Sequence, residues 1–133
     1  MSVLIVEDDG HIRKRLALVL RAASYEVHES GTVAGALERL DDKDLEAIVL
    51  DLRLPNGHGR KVVEDLKAKR DDVPVVILSA FPTEVLLEWP VTSIMKKPTK
   101  PDELKAAVAA ARRSAEHLHS LRRNTNRLKH LSE

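Results

Sequence analysis

Six polar side chains stand at or just after the ends of strand-like runs. Asp51 ends AIVLD, residues 47–51; Glu7, Asp8 and Asp9 follow VLIV, residues 3–6; Ser79 follows VVIL, residues 75–78; Lys97 follows TSIMK, residues 92–96. Removing water from an unpaired carboxylate costs several kcal/mol or shifts its pKa, so Asp51 marks either a strand end or a site. Carboxylates brought together repel unless a cation sits among them, and hard divalent cations prefer oxygen ligands, which makes Mg2+ the natural guest. A magnesium held by one or two carboxylates keeps positions open for water and phosphate, so the pattern reads as phosphoryl chemistry. Lys97 adds a mobile ammonium and Ser79 a hydroxyl, both suited to phosphoryl oxygens. Asp51 is then the candidate nucleophile, forming an acyl phosphate.

These residues can meet only if the elements carrying them converge. The three unbroken runs read as strands buried on both faces; YEVHE at 25–29 and TSIMK at 92–96 alternate, as edge strands do. Ile12, Leu16, Val19, Leu20 and Ala23 fall at helical spacing. Asp9 is a candidate cap for that helix, and Thr32 for a second through Ala36, Leu37 and Leu40. Gly57 to Gly59 are expected to open a third through Val62, Val63 and Leu66, and Thr83–Trp89 is a short fourth candidate. Pro101, with Asp102 and Glu103 behind it, suits the first turn of a last helix. Five βα units predict an α/β fold with a parallel sheet between helix layers, and the crevice of such sheets lies at the carboxyl ends of the strands. Each of the six side chains is expected there.

The 133 residues suffice for one domain with a full core. With 43% apolar, 32% charged and 2% aromatic residues, the composition is globular and the core aliphatic. Absence of cysteine excludes disulfides and thiolate metal sites. Acids at positions 7–9 occupy the place of a signal peptide's apolar stretch, and no apolar run is of membrane-spanning length, so a cytoplasmic address without membrane attachment is expected. The net charge of +1 divides into a mildly acidic body and a basic tail, 112–133, with six Lys/Arg against two acids.

The motifs IVEDD, LDLRLPNGHG, VILSA and MKKP, in that order, resemble the receiver domains of two-component response regulators; any one alone is weak, the ordered set is not. The resemblance covers about residues 2–111. It implies a stand-alone domain folded like the chemotaxis regulator, that is, a five-stranded, doubly wound, flavodoxin-like sheet of order 2-1-3-4-5. It implies Asp51 as phosphoacceptor, Glu7 and Asp8 as the acidic pair with Asp8 contacting the metal directly, and Arg53 lending Mg2+ its backbone carbonyl. Ser79 and Lys97 would bind the phosphoryl group, with small Ala80 admitting water for reversal. The implied donor is a sensor histidine kinase or a histidine phosphotransfer protein. The implied output is altered partner binding through Ser79, the fourth helix and the fifth strand, so the protein is expected to be a phosphoprotein switch rather than a turnover enzyme. Two departures stand out. Ile94 occupies the place of the switching Tyr or Phe of many receivers, and only fourteen residues separate it from Ser79, about one helical turn fewer than the family pattern.

Other readings compete. A haloacid dehalogenase type phosphohydrolase needs a second acid two residues after the nucleophile, where Arg53 stands. An interaction module independent of phosphorylation is the alternative that Ile94 and the short fourth segment favour. The six histidines lack metal spacing and are expected at the surface. Trp89 reads as packing. Residues 1–111 are expected to form the receiver and 112–133 a helical extension, whose Leu118, Leu121, Leu128 and Leu131 stripe can pack back on the body or pair with a second copy as a homodimer. Without aromatics or a recognition motif there, sequence-specific DNA binding is not expected.

Overall fold

Alternate residues of the three inner strands of one sheet feed two separate cores. The computed structural model describes residues 2–54, 57–70, 72–80 and 93–132, with the backbone alone at 53, 57 and 117–132. In chain order the elements are β1 (Ser2–Val6), α1 (Gly10–Ala22), β2 (Glu26–Ser30), α2 (Val33–Arg39), β3 (Leu45–Asp51), β4 (Arg53–Leu54), β5 (Gly57–His58), α3 (Gly59–Lys69), β6 (Val75–Ser79), β7 (Ser93–Lys96) and α4 (Pro101–Ser132).

Strands β2-β1-β3-β6-β7 form one sheet in that order, every pair parallel. Counting these five alone gives 2-1-3-4-5, the flavodoxin-like order expected from the family resemblance. Because side chains alternate across a strand, Leu4, Val6, Ile48, Leu50, Val75 and Ile77 face one way and pack with Val62, Val63 and Leu66 of α3 and Val33 and Ala36 of α2. Val3, Ile5, Ala47, Val49, Val76 and Leu78 face the other way, against Leu16, Ala17 and Leu20 of α1 and Leu104, Val108 and Ala111 of α4. A large aliphatic side chain fully buried in this way stabilises by about 1.5–3 kcal/mol. The strands are thereby fixed in register, and so are the polar residues at their ends.

Local signals set the helix starts. Asp9 caps α1, its carboxylate accepting from the N–H groups of His11 at 2.9 Å and Ile12 at 3.1 Å. The Thr32 hydroxyl accepts from the Gly35 N–H at 3.0 Å. Pro101 and the acids Asp102 and Glu103 open α4, as expected.

The third helix opens at the last residue of the expected 57–59 segment. It begins at Gly59, capped by His58, whose Nδ1 accepts from the Arg60 N–H at 3.1 Å. Gly57 and His58 instead pair antiparallel with Leu54 and Arg53 in a two-residue ribbon after Asp51. Edge strand β2 lies one residue later than the alternation suggested, because Tyr25 leaves the ladder to pack on the core beside α1. His28 is half-buried rather than at the surface, within 3.6 Å of Glu26 and 3.7 Å of Asp42. The fourth helical candidate, Thr83–Trp89, lies outside the described residues. Among the described residues no helix is long and apolar enough to cross a membrane.

Candidate functional site

The carboxyl edge of the sheet gathers one charged cluster. Strand β3, buried at Ala47 through Leu50, ends with Asp51 at 6% exposure. Neighbouring β1 delivers Glu7, whose N–H donates to the Ser30 carbonyl at 3.0 Å, the last link to the β2 edge. Glu7 is 2% exposed, and its Oε1 accepts from the Asp9 N–H at 3.3 Å. Lys97 follows β7, where its own N–H donates to the Ser79 carbonyl at 2.9 Å. Its Nζ therefore reaches both buried acids, lying 3.0 Å from Asp51 Oδ2 and 3.0 Å from Glu7 Oε2. Asp8, exposed at the same turn, completes a set of three carboxylates with one oxygen each, all within 4.8 Å of one another.

Electrostatics follow from burial and crowding. Burial pushes the Glu7 pKa up to about 7, and the neighbouring Asp51 charge adds to the rise; the Lys97 hydrogen bond and charge and the Asp9 N–H oppose it. For Lys97 burial acts downward, but hydrogen bonds to Asp51 and Glu7 and their charges outweigh it and hold the ammonium above its ordinary value. Lys97 is thus a fixed cation between two acids. Three hard oxygen donors, one of them open to solvent, suit a divalent ion such as Mg2+, which prefers few protein carboxylates and retained water.

The structure brings Glu7, Asp8, Asp51 and Lys97 together. Ser79, 4% exposed, ends β6 next to β3, in register with Lys96, while Ala80 beyond it is exposed. Arg53 stands at the start of β4, opposite His58. Ile94 is away from the cluster, paired with Ile77 in the middle of β7 and 41% exposed.

Two contacts in this neighbourhood carry no signal in the sequence. Gly59 packs so closely under the site that a Cβ there would lie 2.8 Å from the Asp51 carbonyl oxygen and 3.1 Å from the Leu52 Cα. Its N–H donates to the Leu52 carbonyl at 2.8 Å, drawing α3 against the loop. Arg13 donates from Nη1 to the Glu7 carbonyl at 2.8 Å. Both contacts are tertiary, and neither residue type nor spacing announces them.

Comparisons with known proteins agree with this geometry. A family model described as the response regulator receiver domain matches residues 3–109. The sensory transduction protein RegX3 of Mycolicibacterium smegmatis is 35% identical over 121 residues, covering 87% of this chain and 53% of the relative. The cell cycle response regulator CtrA of Brucella ovis is 32% identical over 126 residues, covering 91% and 54%. The chain thus spans about half the length of these relatives. Among solved structures, the signal receiver domain of a LuxO repressor protein from Vibrio parahaemolyticus superposes with a TM-score of 0.81 at 23% identity, covering 90% of this chain and 95% of that one. The receiver domain of a Pseudomonas aeruginosa sensor histidine kinase, with a magnesium ion coordinated in its active-site cleft, gives 0.76 at 24% identity, covering 84% and 96%.

Proposed function

The chain belongs to the response regulator receiver domain family, and we propose that Asp51 is its phosphoacceptor, loaded with a phosphoryl group from a phosphohistidine. The observation that carries this reading is the buried Asp51 carboxylate with the Lys97 ammonium 3.0 Å from Oδ2 and the Glu7 and Asp8 oxygens beside it. The other Asp51 oxygen attacks phosphorus in line; an O–P bond forms, the P–N bond breaks, and the electron pair leaves with the imidazole nitrogen. Lys97 and the Ser79 hydroxyl are assigned the phosphoryl oxygens, where preorganised donors stabilise the charge that spreads during transfer.

Carboxylates of Glu7, Asp8 and Asp51, with the Arg53 backbone carbonyl, are assigned to Mg2+. When bound, Mg2+ offsets charge on the phosphoryl oxygens and orients them. Water reaching the acyl phosphate past exposed Ala80 reverses the modification, so the protein is a switch, not a turnover enzyme. In this reading the protein is cytoplasmic, residues 1–111 are the receiver, 112–133 a basic extension of α4, the donor a sensor histidine kinase or histidine phosphotransfer protein, and the output altered partner binding or onward relay. The test is acetyl phosphate with Mg2+ followed by intact mass. The wild-type chain should gain one phosphoryl group and Asp51→Asn none; no gain on the wild type, or equal labelling of the variant, overturns the assignment.

Ile94 favours a second reading, a module that binds its partner without phosphorylation, since an exposed aliphatic stands on β7 where many receivers carry a switching aromatic. Beryllofluoride with Mg2+ separates the two. Amide resonances of Ser93–Lys96 that shift on addition support the switch, and resonances that stay put support the module.

A further inference from the structure

Asp8 is the exposed member of the carboxylate set, and what fixes it is the backbone on either side. On the Asp9 side the chain is held by the helix cap and by the Asp9 N–H bond to Glu7 Oε1. On the Glu7 side the sheet ladder ends with the Glu7 N–H, so the Glu7 carbonyl projects beyond it and needs another donor. Arg13 supplies it, one helical turn into α1, with Nη1 2.8 Å from that oxygen. The guanidinium is itself held, its Nε 3.4 Å from Glu29 Oε1 on β2; the other oxygen of Glu29 is 3.3 Å from Arg21 Nη2. Gly31 leaves the space, since a Cβ there would come within 3.0 Å of Arg13 Nη1 and 3.8 Å of the Glu7 carbonyl oxygen.

We propose that Arg13, braced by Glu29 and seated over Gly31, is a positioning residue for the metal, locking the Glu7–Asp9 turn so that the Asp8 carboxylate is preset against Glu7 and Asp51. This inference rests on the reading of those acids as a Mg2+ site. Arginine suits the task because its planar fork can serve a carbonyl and a carboxylate together. Lysine has only a point charge to offer.

The sign of the effect discriminates. By Coulomb's law alone, deleting a cation near a dication site tightens Mg2+ binding. Loss of positioning weakens it, and residues that orient metal ligands from outside the coordination sphere typically change affinity 10–100-fold. Mg2+ binding to the full chain is therefore measured calorimetrically for wild type, Arg13→Ala, Arg13→Lys and Gly31→Ala, together with amide exchange of Asp8, Asp9 and Gly10 without metal. Arg13→Ala is expected to bind about tenfold more weakly, Arg13→Lys to recover part of the loss, and Gly31→Ala, which keeps the charge but displaces the fork, to weaken binding as well. The turn amides should exchange faster in Arg13→Ala while those of β3 do not. Binding by Arg13→Ala that is unchanged or tighter overturns the proposal, as do unchanged turn amides. Should the wild type itself not bind Mg2+, the metal reading falls, and the exchange data alone decide whether Arg13 locks the turn.

Discussion

The α-carbon of Gly59 lies so close behind Asp51 that any side chain on it would collide with the Asp51 carbonyl, a Cβ standing 2.8 Å from that oxygen. Since the obstacle is backbone rather than the end of a flexible side chain, it cannot move aside without moving Asp51, the proposed phosphoacceptor. Gly59→Ala is therefore expected to cost about 1–3 kcal/mol, as overpacking of a tight contact does. Urea unfolding measures that cost. Labelling of Asp51 by acetyl phosphate should slow in the same variant; a protein of wild-type stability and wild-type labelling would show that the contact relaxes freely.

Lys97→Ala separates binding of metal from transfer of phosphate. The ammonium shares Asp51 and Glu7 at 3.0 Å each, so its removal takes a competing cation away from both acids, and Mg2+ affinity should rise. Transfer should fall by about 10²-fold, the scale for losing one preorganised donor at an oxyanion. Titration calorimetry and the rate of mass gain in acetyl phosphate read the two effects independently. Weaker metal binding, or unchanged transfer, would count against the role given to Lys97.

Proton and metal should compete at Glu7. Its metal-free pKa stands near 7, above its ordinary 4.5, chiefly because of burial. Between those values the folded chain holds a proton that the unfolded chain has lost, so metal-free stability falls as pH rises through that window. Mg2+ needs the ionised carboxylate and must displace the proton. Affinity is accordingly expected to be about tenfold weaker at pH 6 than at pH 8, with proton release visible as a dependence of the binding heat on buffer ionisation. A flat pH profile would show that no proton is displaced from Glu7 in this range, against a raised pKa at a metal-binding carboxylate.

Arg112 ties α4 to the sheet and to Tyr25. Its Nε lies 2.7 Å from Glu46 Oε2 on β3, Nη1 lies 3.4 Å from the Tyr25 hydroxyl, and the guanidinium sits 5.2 Å from the Tyr25 ring centre. Because Glu46 is half-exposed and solvent screens the pair, Arg112→Ala should cost only about 1 kcal/mol. Faster amide exchange along α4 after Ala111, with α3 unaffected, would accompany it. A loss of several kcal/mol would show that Arg112 carries more than this local anchor.

Much of the molecule was legible in the chain because the signals are local. VLIV, AIVL and VVIL are apolar on both pleat faces, and only a sheet covered twice buries them, so the layered fold follows from those runs. Strand ends then bring Glu7, Asp8, Asp51, Ser79 and Lys97 to one edge whatever the details of packing. Asp9 and Thr32 were readable as caps because a cap needs only a short oxygen-bearing side chain beside its own helix. Which residue of 57–59 begins α3 was not, because Gly57 and Gly59 look alike in the chain and differ only in what lies across from them: Gly57 faces Leu54 in the ribbon, Gly59 the backbone of Asp51.

By itself, then, the sequence determined which residues line the edge of the sheet, since alternation and apolar runs dictate buried strands and the polar residue that ends each one. Tertiary structure alone decided how they act on one another. Lys97 meets Glu7 across ninety positions of chain, Arg13 reaches back to a carbonyl that the ladder leaves over, and Gly59 is glycine because another backbone passes 2.8 Å from where its Cβ would be. Such contacts depend on distance in space, which no local pattern of residue types records.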